Sequence, residues 1–217
     1  MKTIDTDKPR KLPRQARSQA TVAIILEAAT RILTDRGIDA FNTNEVARRA
    51  GVSVGSIYQY FPNKDSLLLA LRDRHSVEMA DAIEGVASAS LGGDLQADLQ
   101  RLVRAAMAAH EADPGLHKVL DQHVAFAHDD HASGQRIGQM VATLLGQNEG
   151  EIMHCDLELA AWTTMRTVEA LVHAAVLDPP AGFEKSQIEQ NIVDVLYSFL
   201  TASRRHTADC HPGAGRT

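Results

Sequence analysis

The sequence predicts an all-α fold, and three observations lead to that prediction. Aromatic residues make up only 4% of the 217 residues, whereas Ala and Leu are abundant. Alternation of β-branched and polar residues, which marks a half-buried strand, is nearly absent. Apolar residues recur instead at helical spacing: Ile25, Ala29, Ile32 and Leu33 stand at i, i+4, i+7 and i+8, on one stripe of a helix. With 44% hydrophobic and 23% charged residues, the chain is expected to bury a core without disulfides or metal.

Composition excludes several classes of protein. The longest apolar runs, such as Val22–Leu26 and Leu67–Leu71, span about five residues, whereas a membrane helix needs about 20. The first residues contain no apolar segment, so no secretory signal is predicted. Cys155 and Cys210 are too few for a disulfide framework. We therefore expect a cytoplasmic protein with reduced thiols.

The net charge of −6 is unevenly distributed along the chain. Residues 1–64 carry eleven Lys or Arg and six Asp or Glu, a net charge of +5, and the remaining residues carry −11. A basic head on an acidic body indicates that the head contacts a polyanion and that the body does not. A chance distribution of surface charge is the alternative.

Four segments are predicted along the chain. They are a flexible basic arm (1–17), a three-helix helix-turn-helix domain (18–63), a second helical domain (64–206) and a disordered tail (207–217). The arm and the tail are polar and contain proline, and chain ends of this kind are commonly poorly ordered.

The helices are bounded by residues that favour helix ends. The first predicted helix spans Ser18–Arg36 and ends at Gly37, a C-cap that follows a basic last turn. Asn42 or Thr43 is expected to cap the second helix, and Ser53 the third. In order, the helices predicted after the first are Thr43 or Asn44 to Ala50, Val54–Tyr60, Lys64 to about Ala89, Leu95–Glu111, Leu116–Ala127, Ser133–Gln147, Cys155–Leu177 and Lys185–Arg205.

The two short helices have the spacing of a helix-turn-helix unit. Gly51–Val52–Ser53 joins Asn44–Ala50 to Val54–Tyr60, and Gly51 gives the turn its conformational freedom. In such a unit the first helix crosses the phosphate backbone and the second enters the major groove. Small residues open the second helix, so its first turn can approach base edges, and Gln59 can pair bidentately with adenine.

A longer string of residues around this unit is more specific than the spacing. It consists of Ile25-Leu26-Glu27-Ala28-Ala29, Gly37, Thr43, Val46-Ala47, Ala50-Gly51-Val52-Ser53, Gly55-Ser56-Ile57-Tyr58, Tyr60-Phe61 and Lys64-Asp65-Ser66-Leu67-Leu68. On these residues the stretch Arg14–Leu68, roughly 55 of the 217 residues, resembles the tetracycline-repressor (TetR) family of bacterial regulators. The rest of the chain is similar to the family only in helical architecture. The resemblance implies a ligand-responsive, DNA-binding transcriptional regulator, most often a repressor that a small effector releases from its operator.

The resemblance also implies which side chains contact double-stranded DNA. These are Thr43, Asn44, Val54, Gly55, Ser56, Tyr58, Gln59, Tyr60 and Lys64. Arg17 and the basic arm are expected to reach the DNA backbone or the minor groove. Arg48 and Arg49 are either DNA contacts or solvated charges, and Ile57 and Phe61 are expected in the core.

By the same resemblance, the last two long helices form a homodimer, so that two copies bind a palindromic operator. The apolar stripes available for this are Leu157, Ala161, Met165, Val168, Val172 and Ala175 on the first helix and Ile188, Ile192, Val195, Leu196 and Phe199 on the second. Alternatively, the stripes face the core of their own monomer. Because every helix needs one such face, spacing does not decide between the two.

The resemblance places an effector cavity among the helices from about Leu95 to Leu177, and effector binding then moves the long helix that starts at Lys64. Gly92–Gly93 is a hinge for this motion or an ordinary loop. A mostly apolar ligand with one or two fixing contacts would suit the residues present. The candidate lining residues are Met107, His110, His123, Phe126, Met140, Trp162, Met165, Arg166, Glu169 and His173, with an ordinary core or surface position as the alternative for each.

Ten histidines raise the alternative of a metal site. His123, His128 and His131 lie close together beside two aspartates, but their spacing matches no ligand pattern and suits a solvated loop. We predict no metal ligand, no cofactor and no catalytic residue. A helical metallo-enzyme built on residues 110–131 and an architectural DNA-binding protein without an effector are the competing hypotheses. The enzyme is disfavoured because the sequence has no His-x-x-x-His pair and no Gly-rich phosphate loop.

Overall fold

The computed structural model describes residues 16–87, 94–123, 132–153 and 156–202, and it confirms the all-helical prediction. These residues form α-helices and two 3-10 turns, with no strand among them. The helices are α1 (Ala16–Arg36), α2 (Thr43–Ala50), α3 (Val54–Tyr60), α4 (Lys64–Ala87), α5 (Leu95–Glu111), α6 (Pro114–His123), α7 (Ala132–Gln147), α8 (Leu157–Leu177) and α9 (Lys185–Thr201). The 3-10 turns are Ile38–Ala40 and Glu149–Glu151.

Four predicted helix starts differ from the observed ones. Helix α1 begins at Ala16 rather than Ser18, so the last two residues of the predicted arm are helical, and α7 begins at Ala132 rather than Ser133. The other two differences come from caps. The helix predicted from Leu116 begins at Pro114, because Asp113 caps it by accepting a hydrogen bond from the Leu116 N–H at 3.0 Å, and proline suits the first turn. The helix predicted from Cys155 begins at Leu157, because Asp156 is its N-cap and accepts from the Leu159 N–H at 2.9 Å. Cys155 itself lies outside the described residues.

One predicted helix end is wrong, and another falls outside the described residues. The last helix was predicted to reach Arg205 but ends at Thr201, because Ala202 adopts an extended conformation. Residues 124–131, which include the predicted end of α6, lie outside the described residues. So do the predicted disordered tail, most of the basic arm and Gly92–Gly93.

The chain divides into two compact units. The first comprises Met1–Glu78 and Asp113–His131, so it contains α1 to α3, the first part of α4, and α6. The second comprises Met79–Ala112 and Ala132–Thr217, so it contains the rest of α4 together with α5 and α7 to α9. The boundary falls inside α4. The functional division at residues 63 and 64 stays a prediction.

The first unit is built around one apolar face of α1. Ile25, Ala29, Ile32 and Leu33, which were predicted to share a stripe, are all buried. The other buried members of this core come from α1 itself, from the remaining helices of the unit and from the residues that follow the 3-10 turn and α3: Leu26, Phe41, Val46, Ala47, Ile57, Phe61, Leu67, Leu68, Leu71, Leu116 and Leu120. Each large apolar side chain buried here stabilises the unit by about 1.5–3 kcal/mol.

The second unit has its own apolar core, to which α4, α5, α7, α8 and α9 contribute. A buried polar contact fixes the start of α5. Asp98 is only 1% exposed; its Oδ2 accepts a hydrogen bond from Asn148 Nδ2 at 2.8 Å, and its Oδ1 accepts one from Arg101. None of the described helices is both long and apolar enough to cross a membrane.

We expect Asp98→Ala to destabilise the second unit by about 2–3 kcal/mol, because hydrogen bonds to a charged group are lost and their buried donors are left without an acceptor. Thermal unfolding followed by circular dichroism measures the effect. Glu158→Ala is the matched control, since Glu158 is also an acidic first-turn residue but is exposed. Equal melting temperatures for the two variants would contradict the assignment.

Candidate functional site

The turn between α2 and α3 is held by hydrogen bonds and one glycine. Of the two predicted caps for α2, Asn42 is the one used: its Oδ1 accepts from the Glu45 N–H at 2.9 Å. Ser53 caps α3 as predicted and accepts from the Ser56 N–H at 3.0 Å. Gly51 has φ of +68°, and no atom lies within 4 Å of where its Cβ would stand. The backbone conformation, rather than lack of space, therefore favours glycine at this position.

Ion pairs fasten α2 to α1. Glu45 binds Arg36 of α1 at 2.9 Å and Arg48 of its own helix at 2.6 Å, and Arg49 binds Asp35 of α1 at 2.8 Å. The hydrogen bonds and charge of Arg48, together with the charges of Arg36 and Arg49, lower the pKa of Glu45 to about 2. Glu45 is therefore ionised at neutral pH. Because each guanidinium has five N–H donors, these pairs leave Arg48 and Arg49 with donors for a second contact.

Helix α3 has one buried face and one exposed face. Ile57 and Phe61 are buried in the core of the first unit, as expected. Gly55, Tyr58 and Gln59, at i, i+3 and i+4, are exposed on the opposite face, and Tyr58 is 47% exposed. The predicted contact residues Val54, Ser56 and Tyr60 are half-buried along its margins. The outer face of α3 is defined as Gly55, Tyr58 and Gln59.

The predicted contact residues of α2 lie beside this face. Thr43 Oγ1 is 3.4 Å from Tyr58 Oη, which joins the start of α2 to α3, and the next residue, Asn44, is exposed. Lys64 is placed differently: its Nζ donates to the Ile38 carbonyl at 3.2 Å and stands 5.6 Å from the centre of the Phe41 ring. An ammonium group has three donors, so this bond does not prevent a phosphate contact.

The predicted effector residues are scattered. Met107 is buried in the core of the second unit, and Met140, Met165, Arg166, Glu169 and His173 are half-buried there. Trp162 is 54% exposed, so the structure does not place the indole in an interior cavity. His123 belongs to the first unit, and Phe126, like His128 and His131, lies outside the described residues.

Four of the predicted effector residues come together between α5 and α8. The rings of His110 and His173 meet edge to face with centroids 6.3 Å apart. Burial lowers the pKa of His110, although its Nδ1 bond to the Ala106 carbonyl, 2.8 Å long, and the charge of Glu169 act in the opposite direction. Glu169 Oε2 accepts from Arg166 Nη1 at 2.9 Å. The result is a second polar cluster within the second unit, besides the one at Asp98.

One buried pair was missed by the sequence analysis. In the first unit, His75 of α4 and His117 of α6 are both buried, with His75 Nε2 3.1 Å from His117 Nδ1. The sequence offered half of the signal, because His75 continues the buried i, i+4 stripe of Leu67 and Leu71. His117, 42 positions further on, has no comparable signal.

The apolar stripes of the last two helices mostly face their own monomer. Ala161, Val168, Val172, Ile192 and Leu196 are buried in the core of the second unit. Other residues of the same stripes, Ala175, Ile188 and the exposed Val195, line a groove of about 470 Å³ between α8 and α9 together with further apolar side chains. The groove is lined by Leu171, Ala174, Ala175, Asp178, Pro180, Phe183, Gln187, Ile188, Asn191, Ile192 and Val195.

An all-helical chain with a capped helix-turn-helix unit at its head defines the class of helical DNA-binding regulators. Comparison with known families identifies which one. Residues 25–71 match the model of the bacterial regulatory proteins of the tetR family, and residues 94–200 match that of the tetracyclin repressor-like C-terminal domain. The chain belongs to the tetR family and is a DNA-binding transcriptional regulator. Members of this family bind DNA operators and typically dimerise.

Individual relatives agree with this assignment. The transcriptional regulator PksA of Bacillus subtilis (strain 168) is 25% identical over 213 residues, 93% of this chain and 100% of that protein. The transcriptional repressor KstR of Mycolicibacterium smegmatis is 30% identical over 131 residues, 58% of this chain and 63% of that protein. A crystal structure of a tetR family regulator from Shewanella sp. PV-4 has a TM-score of 0.61 at 24% identity and covers 84% of this chain and 98% of that one. This structural likeness supports the fold.

We expect Gly51→Ala to destabilise the first unit by about 1–2 kcal/mol, the cost of a left-handed backbone for an L-residue. Gly51→Asn should cost less, because asparagine tolerates this conformation. Urea unfolding of the two variants and the wild type gives the order of stability. An alanine variant as stable as the wild type would show that the turn changes its conformation.

Proposed function

We propose that this regulator is a homodimeric repressor that binds a palindromic operator through α3 of each copy and is released by a small-molecule effector bound in the second unit. The observation that carries the DNA part of the proposal is the outer face of α3. Its polar side chains are exposed, while Ile57 and Phe61 on the other side anchor the helix in the core. This is how a recognition helix is presented to the major groove.

The chemistry of the outer face suits base contacts. The Gln59 amide can donate a hydrogen bond to adenine and accept one from it at the same time. Because Gly55 has no side chain, the helix backbone there can approach the floor of the major groove closely. The Tyr58 ring can contact a thymine methyl while its hydroxyl stays near Thr43. Specificity would therefore come from few side chains and in part from DNA shape.

The surroundings of α3 suit phosphate contacts. Arg48 is exposed beside Glu45, and both Arg48 and Arg49 have donors beyond their ion pairs. The charge of +5 on residues 1–64 gives the head the attraction to a polyanion that the acidic body lacks. Thr43 and Asn44, at the start of α2, are the further phosphate contacts in this proposal, together with Lys64.

The dimer is supported by the groove between α8 and α9. Leu171, Phe183 and Val195 are exposed apolar side chains around it. Exposed apolar patches of this kind mark protein interfaces. A second copy that covers this surface would bring two α3 helices to two half-sites.

The two remaining parts of the proposal, repression and release by an effector, are supported by different observations. Repression is typical of the family, and the relative KstR is named a repressor. The effector is assigned to the second unit because half-buried polar side chains interrupt its apolar core at Arg166, Glu169 and His173. Since bacterial operators lie in the cytoplasm, we place the protein there.

Gln59→Ala tests the recognition helix. Fluorescence anisotropy with DNA from the region upstream of the gene should show operator affinity falling by about 5–150-fold, the equivalent of about 1–3 kcal/mol for one bidentate base contact. Affinity for scrambled DNA should stay weak and unchanged, because that binding depends on phosphate contacts and falls steeply with salt.

Gln122→Ala is the matched control, since Gln122 is an exposed glutamine of α6 in the same unit. It should bind the operator like the wild type. If Gln59→Ala binds as tightly as the control, α3 does not read the operator through this side chain. Equal wild-type binding to upstream and scrambled DNA would favour an architectural protein or a distant operator, and a genome-wide binding selection separates these.

Val195→Asp tests the dimer surface. A charge in an apolar interface is costly to bury, so light scattering after size exclusion should show a shift from dimer to monomer. Val77→Asp on α4 is the control, because Val77 is 44% exposed and Val195 is 45% exposed. A dimer that persists in Val195→Asp at micromolar concentration would rule out this groove as the interface.

A further inference from the structure

We infer that the second unit holds a divalent transition-metal ion of the Zn²⁺ class between α5 and α8, with His110 and His173 as ligands and with Glu169 as the third ligand once its side chain rotates toward them. From the sequence we predicted no metal ligand; the alternatives were a site on His123, His128 and His131 and a metallo-enzyme built on residues 110–131, and neither pairs His110 with His173. The inference goes beyond the proposed function and does not depend on it, since an ion can bind this unit whether or not the protein binds an operator.

The first support is the distance between the two rings. A ring nitrogen of His110 and one of His173 lie within 4.8 Å of each other. Two Zn–N bonds of about 2.1 Å span at most about 4.2 Å, so a small rotation of the side chains brings both nitrogens onto one ion. His173 is half-buried and can make this adjustment more easily than His110, which is buried in the core.

The second support is the orientation of the His110 ring. Its Nδ1 lies 2.8 Å from the Ala106 carbonyl oxygen, which can only accept, so Nδ1 carries the proton. In the neutral ring, Nε2 is then left with a lone pair. Metal-ligating histidines commonly fix their second nitrogen in this way, by donating it to a backbone carbonyl.

The third support is a carboxylate on the same face of α8 as His173. Glu169 and His173 stand at i and i+4 on α8, which puts them on one face of the helix, and the charge of Glu169 acts on His110. Arg166 orients this carboxylate by donating to its Oε2 at 2.9 Å. Hydrogen bonds of this kind to a ligating carboxylate are a regular feature of metal sites.

The donor set selects the class of ion. Two imidazoles and one carboxylate suit Zn²⁺, Co²⁺, Ni²⁺ or Fe²⁺, whereas Ca²⁺ and Mg²⁺ prefer all-oxygen sites. Three protein ligands leave at least one coordination position for water or for a bound molecule. The site is thus a binding site for an ion, with room for a further ligand.

The test uses the full-length protein, stripped with EDTA and desalted, and titrated with Co²⁺ and then with Zn²⁺. Wild-type protein should develop visible Co²⁺ ligand-field absorption at one ion per chain, and Zn²⁺ should abolish it. His110→Gln and His173→Gln should each weaken Zn²⁺ binding by about tenfold or more in competition with a chromophoric chelator. Glu169→Gln should weaken it as well.

His123→Gln is the matched control, because His123 is an exposed histidine at the end of α6 and belonged to the metal alternative considered from sequence. It should bind like the wild type. Far-UV circular dichroism checks folding, and His173→Gln decides if the more buried His110→Gln fails to fold. The inference is wrong if the wild-type protein develops no Co²⁺ absorption, or if the folded histidine variants bind Zn²⁺ as tightly as the wild type. If Glu169→Gln binds Zn²⁺ as tightly as the wild type, Glu169 is not a ligand.

Discussion

Apolar contacts between α3 and the core of the first unit hold the whole outer face of α3 in place. Helices α2 and α3 have 8 and 7 residues, and helices this short are not stable alone in water. Their position therefore comes from the burial of Val46, Ile57 and Phe61 in the core built around α1. Because the polar face is the other side of the same short helix, its geometry is as rigid as that core.

The same constraint explains why the polar side chains around the turn mainly stabilise the two short helices. The side chains of Asn42 and Ser53 cap helices α2 and α3, and Glu45 connects α2 to α1 through an ion pair with Arg36. Few side chains are left to meet DNA directly. The recognition surface that we propose, built from Tyr58, Gln59 and the backbone near Gly55, is small because two short helices offer little room.

Much of this architecture was predictable because its causes are local. Caps, a left-handed glycine and the i, i+4 stripe of α1 are all properties of neighbouring residues, so the helices were placed within a few positions. The predicted start of α8 was wrong because Asp156 caps it, and that of α6 because Asp113 does; both choices depend on side chains one or two residues away from the expected cap. The cluster of His110 with His173 could not be foreseen as a pair, since 63 positions separate them and only the packing of α5 against α8 brings them together.

Helix α8 shows why periodicity alone left the dimer question open. It has three distinct faces: Val168 and Val172 are buried in the core, Glu169 and His173 lie in the polar cluster, and Leu171 lines the exposed groove. One apolar stripe in the sequence predicts only one buried face of a helix, so it does not reveal the other two. If an ion orders the polar cluster and a second copy covers the groove, both stabilise the same segment of one helix. Binding at one face then favours binding at the other by the same factor in each direction, because such linkage is reciprocal.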